Sequence, residues 1–484
     1  MNHLARKTAD HKTAYDPWPR VDRSRPVVCV QGLGFVGSAM SIAIANAQRD
    51  GRPRYSVVGV DLPNEAGRHR VSCIDRGEMP FPGGDPELDA ALARAHEAGN
   101  LTATDDPDIF SIADVVLVDI NLDIDWSAPE PIVHFGPLQR AMDDLGARLQ
   151  PGTLVIVETT VPPGTCERVV APRLAAGLEK RGLPPDAILL AHSYERVMPG
   201  AQYYESIVNY WRVYAGMTPE AADACERFLG TVINVRDYPL TRLGSTTASE
   251  TAKVLENAYR AMTIAYMEEW GRFAEAVGID LFEIVAAIRK RPTHANMRQP
   301  GFGVGGYCLT KDPLFGAVAA RTLFDRPDLA FPFSAAAVQT NGAMPLVALD
   351  KLRHRLGGSL SGRRILLLGV SYREDVGDTR YSPSQVFVEA AEGEGADVVG
   401  HDPLVTVWPE LARGVVNDLP DAGNFDAVVF TQPSRFYRGI DLAAWLKDAD
   451  VAVIDANNVL TDAQRRQLRD MGRSLTSIGR GDAC

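Results

Sequence analysis

The chemistry of this chain gathers in Gly301-Phe302-Gly303-Val304-Gly305-Gly306-Tyr307-Cys308-Leu309-Thr310-Lys311-Asp312. Four of its first six residues are glycine, which lets the backbone take positive φ and come close to a ligand. A cysteine at the end of such a turn can serve as a nucleophile if a neighbour lowers its pKa. Lys311 can do that, or can hold an anionic substrate. The competing reading is a glycine turn around a buried, inert Cys308. Two further groups bear on the choice. Glu158 ends the apolar run Leu154-Val155-Ile156-Val157 and leads into Thr159-Thr160-Val161-Pro162-Pro163-Gly164-Thr165. A carboxylate at a strand end, before a rigid turn and a helix start, suits a base or a water-orienting group. Alternatively Thr165 caps the helix and Glu158 makes a surface pair. Glu250, Lys253 and Asn257, spaced by three and four, share one helix face. They can bind a sugar, a phosphate or an oxyanion, or Glu250 and Lys253 can form an exposed ion pair.

The elements that must position these residues follow from pattern. Val27–Val30 reads as a buried strand, Gly32-Leu33-Gly34-Phe35-Val36-Gly37 as a phosphate-binding turn, and Ser38–Ala47 as a helix. Ser56–Val60 is a second strand, ending in Asp61. In this context the turn and the helix start can receive a pyrophosphate, and the acid favours NAD over NADP. The strands continue at Val115–Val118, Leu154–Val157 and Ala187–Leu190, with helices expected at Glu87–Ala98 and Ile132–Leu149. Long helices then take over at Glu250–Val277 and Ala335–Leu356. A second α/β region starts at Arg364–Val370 and continues through Ala396–Gly400, Ala427–Phe430 and Val451–Asp455. Its polar loop carries Arg373, Asp375, Asp378, Arg380 and Ser382. The strand before that loop ends at Gly369 without a full fingerprint, so a second NAD is not expected there.

The expected fold is α/β, with two doubly wound, Rossmann-like parallel-sheet domains joined by a long-helix central domain. The boundaries are a tail over 1–26, an NAD-binding domain over 27–235, a central helical domain with the cysteine loop over 236–358, and a nucleotide-sugar-binding domain over 359–484. A chain of 484 residues with 45% hydrophobic and 23% charged residues suits two or three folded domains. A net charge of −12 argues against a general nucleic-acid binder. The six cysteines are scattered with no CxxC pair, so neither a disulfide framework nor a metal site is expected. No apolar run reaches membrane-spanning length, and the start of the chain lacks the pattern of a signal peptide. A cytoplasmic protein without membrane insertion is expected. The long helices suggest a homodimer.

These motifs, with Glu195-Arg196-Val197-Met198-Pro199-Gly200, Glu250-Thr251-Ala252-Lys253-Val254-Leu255-Glu256-Asn257 and Asp378-Thr379-Arg380-Tyr381-Ser382-Pro383, run in order from Val27 to about Leu460. In that order they resemble the nucleotide-sugar 6-dehydrogenase family, which acts on UDP-glucose, UDP-N-acetylmannosamine and GDP-mannose. The Glu195–Gly200 segment is similar to the N-acetylhexosamine branch. The resemblance implies a four-electron oxidation of a nucleotide sugar, a UDP-N-acetylhexosamine, at C6, with NAD taking both hydrides. Cys308 adds to the aldehyde, a thioester follows, and water releases the uronate. Lys253 and Asn257 would stabilise the oxyanion, Glu158 would be the base for hydrolysis, and Asp312 would partner Lys253 or the active-site water. The cofactor would meet Gly32, Gly34, Phe35, Val36, Gly37, Asp61, Thr160, Lys311 and Arg380, with Lys311 supporting the loop or a phosphate. The substrate would meet Glu195, Arg196, Lys253, Asn257, Phe302, Gly305, Tyr307 and Arg373. Its pyrophosphate and uridine would lie near Arg373, Asp378 and Arg380.

The chain departs from the family at several places around the substrate. The usual Val-Pro-Thr-Pro turn is Ile120-Asn121-Leu122-Asp123, so the hydroxyl near the catalytic water is missing, and Asn121 or Thr160 must replace it. Tyr307 stands where the N-acetyl branch has His. Glu268-Glu269 replaces an Asn-Glu pair, and Asn457 replaces an Arg. Other nucleotide sugars, a two-electron dehydrogenase that stops at the aldehyde, and a non-catalytic binding relative remain the alternatives.

Overall fold

The computed structural model describes residues 18–81, 85–126, 130–197, 200–447 and 449–481. Most of the expected tail (1–17), the middle of the Pro80–Pro86 turn, Met198-Pro199 and Cys484 lie outside them. Residues 18–26 fold back on the first domain, where Val21 is buried in its core.

The first sheet contains β1 (Val27–Gln31), β2 (Ser56–Val60), β3 (Leu101–Thr104), β4 (Val115–Val118), β5 (Leu154–Val157), β6 (Leu189–His192), β7 (Val213–Gly216) and β8 (Thr241–Arg242). Their order across the sheet is β8-β7-β6-β5-β4-β1-β2-β3. All neighbours are parallel except β6 with β7. Strands covered on both faces must be largely apolar; β4 and β5 are wholly so, and β1 and β2 are apart from Gln31 and Ser56 at their ends. Two apolar layers, one per face, form the core of this domain.

A second, five-stranded parallel sheet runs β10-β9-β11-β12-β13, with β9 (Arg364–Leu368), β10 (Asp397–His401), β11 (Ala427–Phe430), β12 (Ala452–Asp455) and β13 (Leu475–Ser477). The two Rossmann-like sheets and the long helices between them agree with the expected fold class.

Three local readings change. The helix expected over Ile132–Leu149 runs Gly136–Arg148, because Pro137 fits only its first turn. Ile132–Val133 is instead a short strand paired with Ile124–Asp125. The strand expected at Ala187–Leu190 lies two residues on, at β6. β3, the antiparallel β7, the short β8 and the last strand β13 were not foreseen.

The long helix α2 (Thr246–Val277) follows α1 (Phe35–Ala45), the helix of the glycine turn, and precedes α3 (Pro332–Arg355). Ser245 caps the start of α2 and Gly278, at φ +75°, ends it. α2 packs along α3. Pro345 inside α3 cannot donate to the carbonyl of Asn341 four residues back. Gly303, at φ +110°, rests against that carbonyl, and a Cβ there would come 2.9 Å from its oxygen. A proline in one helix thus seats the loop that carries Cys308.

Candidate active site

The carboxyl ends of the first sheet, the Cys308 loop and the polar loop after β9 enclose a cavity of roughly 460 Å³. Among the expected site residues, Gly34, Phe35, Val36, Gly37, Glu158, Thr160, Glu195, Phe302, Gly305, Tyr307, Cys308, Lys311, Asp312, Arg373 and Arg380 line it. Parallel sheets place ligands at this edge. The loop needs its glycines because the second sheet's domain packs directly on it: a Cβ on Gly306 (φ +81°) would stand 2.6 Å from the Tyr372 ring. Asn457, where the resemblance led one to expect Arg, accepts a hydrogen bond from the Phe302 amide at 3.3 Å and so supports this loop.

Around Cys308 the polar groups form a chain. Lys311 donates to one oxygen of Asp312 at 2.9 Å, and Asn257 donates to the other at 2.8 Å. Asp312, expected to partner Lys253 or the active-site water, hydrogen-bonds to Lys311 and Asn257 and acts on Lys253 through its charge. Lys253 donates to the Glu195 carbonyl at 2.8 Å, and its ammonium lies 3.6 Å from the Glu195 carboxylate. Burial alone would depress the Lys253 ammonium, but Glu195, Cys308 and Asp312 facing it hold it above the ordinary lysine value. Lys253 is therefore a charged donor beside the cysteine.

The thiol itself is not pre-ionised. Burial and the Asp312 carboxylate push it up to about 11, against the pull of Lys253 and the weaker pull of Lys311. Lys311, a candidate to lower this pKa, does pull on it, but weakly, because its ammonium is held by Asp312 and sits over the Tyr307 and Phe315 rings. Alkylation of the free protein by iodoacetamide at Cys308 is expected to quicken by about tenfold per pH unit between pH 7 and 10, as the thiolate fraction rises. Peptide mass mapping reads this directly. A rate independent of pH would mean that the thiolate already prevails at neutrality. Cys29, Cys73, Cys166 and Cys225 are buried, and Cys308 alone among these five lines the cavity.

Glu158 does not make the surface pair considered above. It is 1% exposed and ion-paired with Arg212, which is equally buried. Burial holds the Glu158 carboxyl above the usual range, against the attraction of Arg212. The Glu250 reading also changes. Its carboxylate accepts from the Gly164 amide at 2.5 Å and the Cys166 amide at 2.7 Å, and does not form an exposed pair with Lys253. This fastens the Pro162–Thr165 turn to α2. Thr165 donates its hydroxyl to the Pro162 carbonyl at 2.6 Å and does not cap the helix. Arg196, expected at the sugar end, is bound to Glu256 and to the Trp211 carbonyl and does not line the cavity.

The dinucleotide turn fits its cofactor. A Cβ on Gly37 would lie 1.8 Å from the Gly32 carbonyl oxygen, so the turn closes only on glycine. Gly34 offers no side-chain cap to α1, which leaves the helix start open toward a pyrophosphate. Asp61 stands at the end of β2 as expected, but its oxygens are already engaged. They accept from the Leu33 and Leu62 amides at 3.0 and 2.7 Å, and Arg70 binds them both. A ribose hydroxyl must therefore share or displace Arg70. Arg380 pairs with Asp378 and covers Phe35 and Tyr307, so it bridges the third region to the glycine turn.

Sequence reading missed Arg212, Arg70, and the cavity-lining Arg260, Tyr372 and Gln432; it set Asp119 at the ligand-facing end of its strand but gave it no partner. Arg212 could have been found only by knowing that a short antiparallel strand follows it.

No helix among the described residues is long and apolar enough to cross a membrane, and no group of metal-binding side chains occurs among them.

Comparison with known proteins shows the family. The UDP-glucose/GDP-mannose dehydrogenase family matches in three parts: the NAD binding domain over residues 27–231, the central domain over 247–342 and the UDP binding domain over 366–462. A UDP-N-acetyl-D-mannosamine dehydrogenase of Pyrococcus horikoshii is 27% identical over 94% of this chain and 99% of its own length. An NDP-N-acetyl-D-galactosaminuronic acid dehydrogenase of Ralstonia nicotianae is 27% identical over 87% of this chain and 94% of its own. A solved structure of UDP-D-ManNAc dehydrogenase from Pyrococcus horikoshii superposes with a TM-score of 0.79 at 26% identity, covering 94% of this chain and 100% of that one. The chain therefore belongs to the UDP-glucose/GDP-mannose dehydrogenase family and is an NAD-dependent nucleotide-sugar dehydrogenase.

Proposed function

We propose that this enzyme oxidises C6 of a UDP-N-acetylhexosamine to the carboxylate in two hydride steps, through a thioester on Cys308. One observation carries the reading: Cys308 opens onto a cavity that also holds Glu158 and Asp312, and Lys253, outside the cavity lining, lies close enough for its charge to act on the thiol. The names of the relatives favour an N-acetylated sugar. Tyr307 adds a buried hydroxyl on the cavity wall, near the Asp123 carboxylate, an atom a sugar substituent can use.

NAD, when bound at the glycine turn, supplies the hydride acceptor for each oxidation. Lys253 stabilises the oxyanion at C6, and the amide N–H of Asn257 not given to Asp312 is the second donor. The Cys308 sulfur bonds to the aldehyde carbon while its proton passes to the carbonyl oxygen. Loss of the second hydride from that carbon, with release of the hydroxyl proton to water, leaves the thioester. Water then bonds to the acyl carbon and gives a proton to Glu158, the carbon–sulfur bond breaks, and Cys308 departs as thiolate. Arg373 and Arg380 are assigned to the diphosphate end. The test is NADH formation with a panel of UDP- and GDP-sugars, with the product mass determined. Two NADH per UDP-N-acetylhexosamine and an acid product support the reading. One NADH and an aldehyde, or turnover of another nucleotide sugar alone, overturns it.

The working protein is placed in the cytoplasm, where a thiol nucleophile stays reduced. It acts as a homodimer. Leu255, Tyr259, Met262, Tyr266, Trp270, Phe273 and Val277 are exposed at spacings of three and four along α2, one continuous apolar stripe. A second copy of the same stripe is its self-complementary cover. Replacing both Trp270 and Phe273 by Glu is expected to yield folded monomers, measured by light scattering and circular dichroism. A variant that keeps the wild-type mass, or a wild-type monomer, contradicts this.

A further inference from the structure

We propose that Asp119 is a positioning residue for Glu158: the two carboxyl groups share one proton at the floor of the cavity, and this keeps Glu158 as the ionised base for thioester hydrolysis. The proposal rests on the four-electron reading above. It starts from register. Val118 and Val157 are partners on the adjacent parallel strands β4 and β5, so Asp119 and Glu158 leave the sheet side by side. Both line the cavity. Oδ2 of Asp119 and Oε2 of Glu158 are buried without a hydrogen-bond partner among the described residues. Such atoms call for a proton, a water or a ligand.

Charge counting gives the same answer. Asp119 faces Glu158, Glu195 of the segment after β6, Arg212 before β7, and Tyr203 of the helix Tyr203–Val208. Lys253 of α2 faces Glu195, and Cys225 of the helix Pro219–Val232 lies behind Glu158 and Arg212. Three acids thus meet two cations, and the cluster is neutral when the acids hold one proton. That proton belongs on Asp119. Burial and the neighbouring Glu158 and Glu195 charges hold its carboxyl well above the usual range, whereas Arg212 keeps Glu158 lower than burial alone would set it. A neutral Asp119 also suits its place beneath the glycine turn, where a Cβ on Gly37 would lie 3.3 Å from the Asp119 Cβ. An anion there would repel a pyrophosphate. Leu122 supplies no hydroxyl at the turn that follows, so Glu158 gains its hydrogen-bond support from Asp119.

In the hydrolytic step the water oxygen bonds to the acyl carbon, its proton goes to Oε2 of Glu158, and the Cys308 sulfur leaves with the bonding pair. Asp119 touches none of these atoms; it sets the pKa of the base. The test is the pH profile of acyl-enzyme breakdown, followed by quenched-flow mass analysis with UDP-N-acetyl-D-mannosamine and NAD, or with the nucleotide sugar that the panel identifies. The wild type, Asp119→Ala and Asp119→Asn are compared. Losing a donor to an ionised carboxylate should move the acid limb up by about one to two pH units in Asp119→Ala. Asp119→Asn keeps an N–H donor, and its limb should stay near the wild-type position. If both variants move the limb down, Asp119 is an ionised neighbour and the proposal fails. An unmoved limb in Asp119→Ala, with a normal melting temperature, means that Asp119 is only structural and equally overturns it. A wild type that forms one NADH per sugar fails at the four-electron reading itself, before any variant is made.

Discussion

Replacement of Cys308 by Ala abolishes uronate formation, with a loss of about 10³-fold or more, the scale of removing a covalent nucleophile. The variant should still bind NAD and sugar and release at most one NADH per sugar, because the first hydride leaves an alcohol carbon that needs no sulfur. The second oxidation starts from a carbon that already carries sulfur, and alanine supplies none. Serine is not a substitute, since its hydroxyl ionises far less readily than a thiol that already sits at about 11. Cys166→Ala is the control. That thiol is fully buried, held above its ordinary range by burial and the Glu250 carboxylate, and absent from the cavity wall. Its loss should cost about 1 kcal/mol of stability and leave the NADH stoichiometry at two. Product mass and NADH counting on both variants decide the point. A Cys308→Ala enzyme that still makes acid would refute the covalent route.

Arg212→Met should be the most destabilising change in the cofactor domain, at about 3–5 kcal/mol. Arg212 is 1% exposed and donates to the Glu158 carboxylate, to the Tyr194 carbonyl at 3.3 Å and toward the Met40 sulfur at 3.2 Å. Methionine fills much of the space but leaves Glu158 without its cation, next to Asp119 and Glu195. The folded state then answers by taking up a proton. In the variant the Glu158 pKa is raised further in the folded protein than in the unfolded chain, so the folded state binds more protons and its stability falls as pH rises. Thermal unfolding should show a drop of roughly 10 °C at pH 8 and a smaller one at pH 5. An equal drop at both pH values would mean that lost packing, and not the unpaired carboxylate, is the cost. Activity near neutral pH should fall as well, because a protonated Glu158 cannot accept a proton from water.

What could be read in advance was local. The glycine turn, Asp61, Glu158 at its strand end and the Cys308 loop are each written in a few consecutive residues, and each stands where its motif placed it. The partners of these residues were not legible, because they come from elements that meet only on folding. Asp61 is held by Arg70, which reaches back from the following helix. Glu250 looked like an exposed partner for Lys253 because the two are neighbours on α2. It turns instead to amides that lie 84 and 86 positions away in sequence. Lys311 pulls on the Cys308 thiol less than Lys253 does for a similar reason: its ammonium is held by its own neighbour, Asp312, turned inward by the loop. Pairing between β4 and β5 sets Asp119 beside Glu158, and the type of the residue alone says nothing of that.

The most direct test of the catalytic reading is to slow the hydrolysis and look for its intermediate. Glu158→Gln keeps an acceptor for Arg212 but cannot take a proton from water. After this variant is mixed with NAD and the nucleotide sugar, acid quench and peptide mapping should find the oxidised sugar nucleotide attached to the peptide that contains Cys308. No adduct under conditions where NADH has formed, or an adduct on another cysteine such as Cys166, would contradict the thioester route through Cys308.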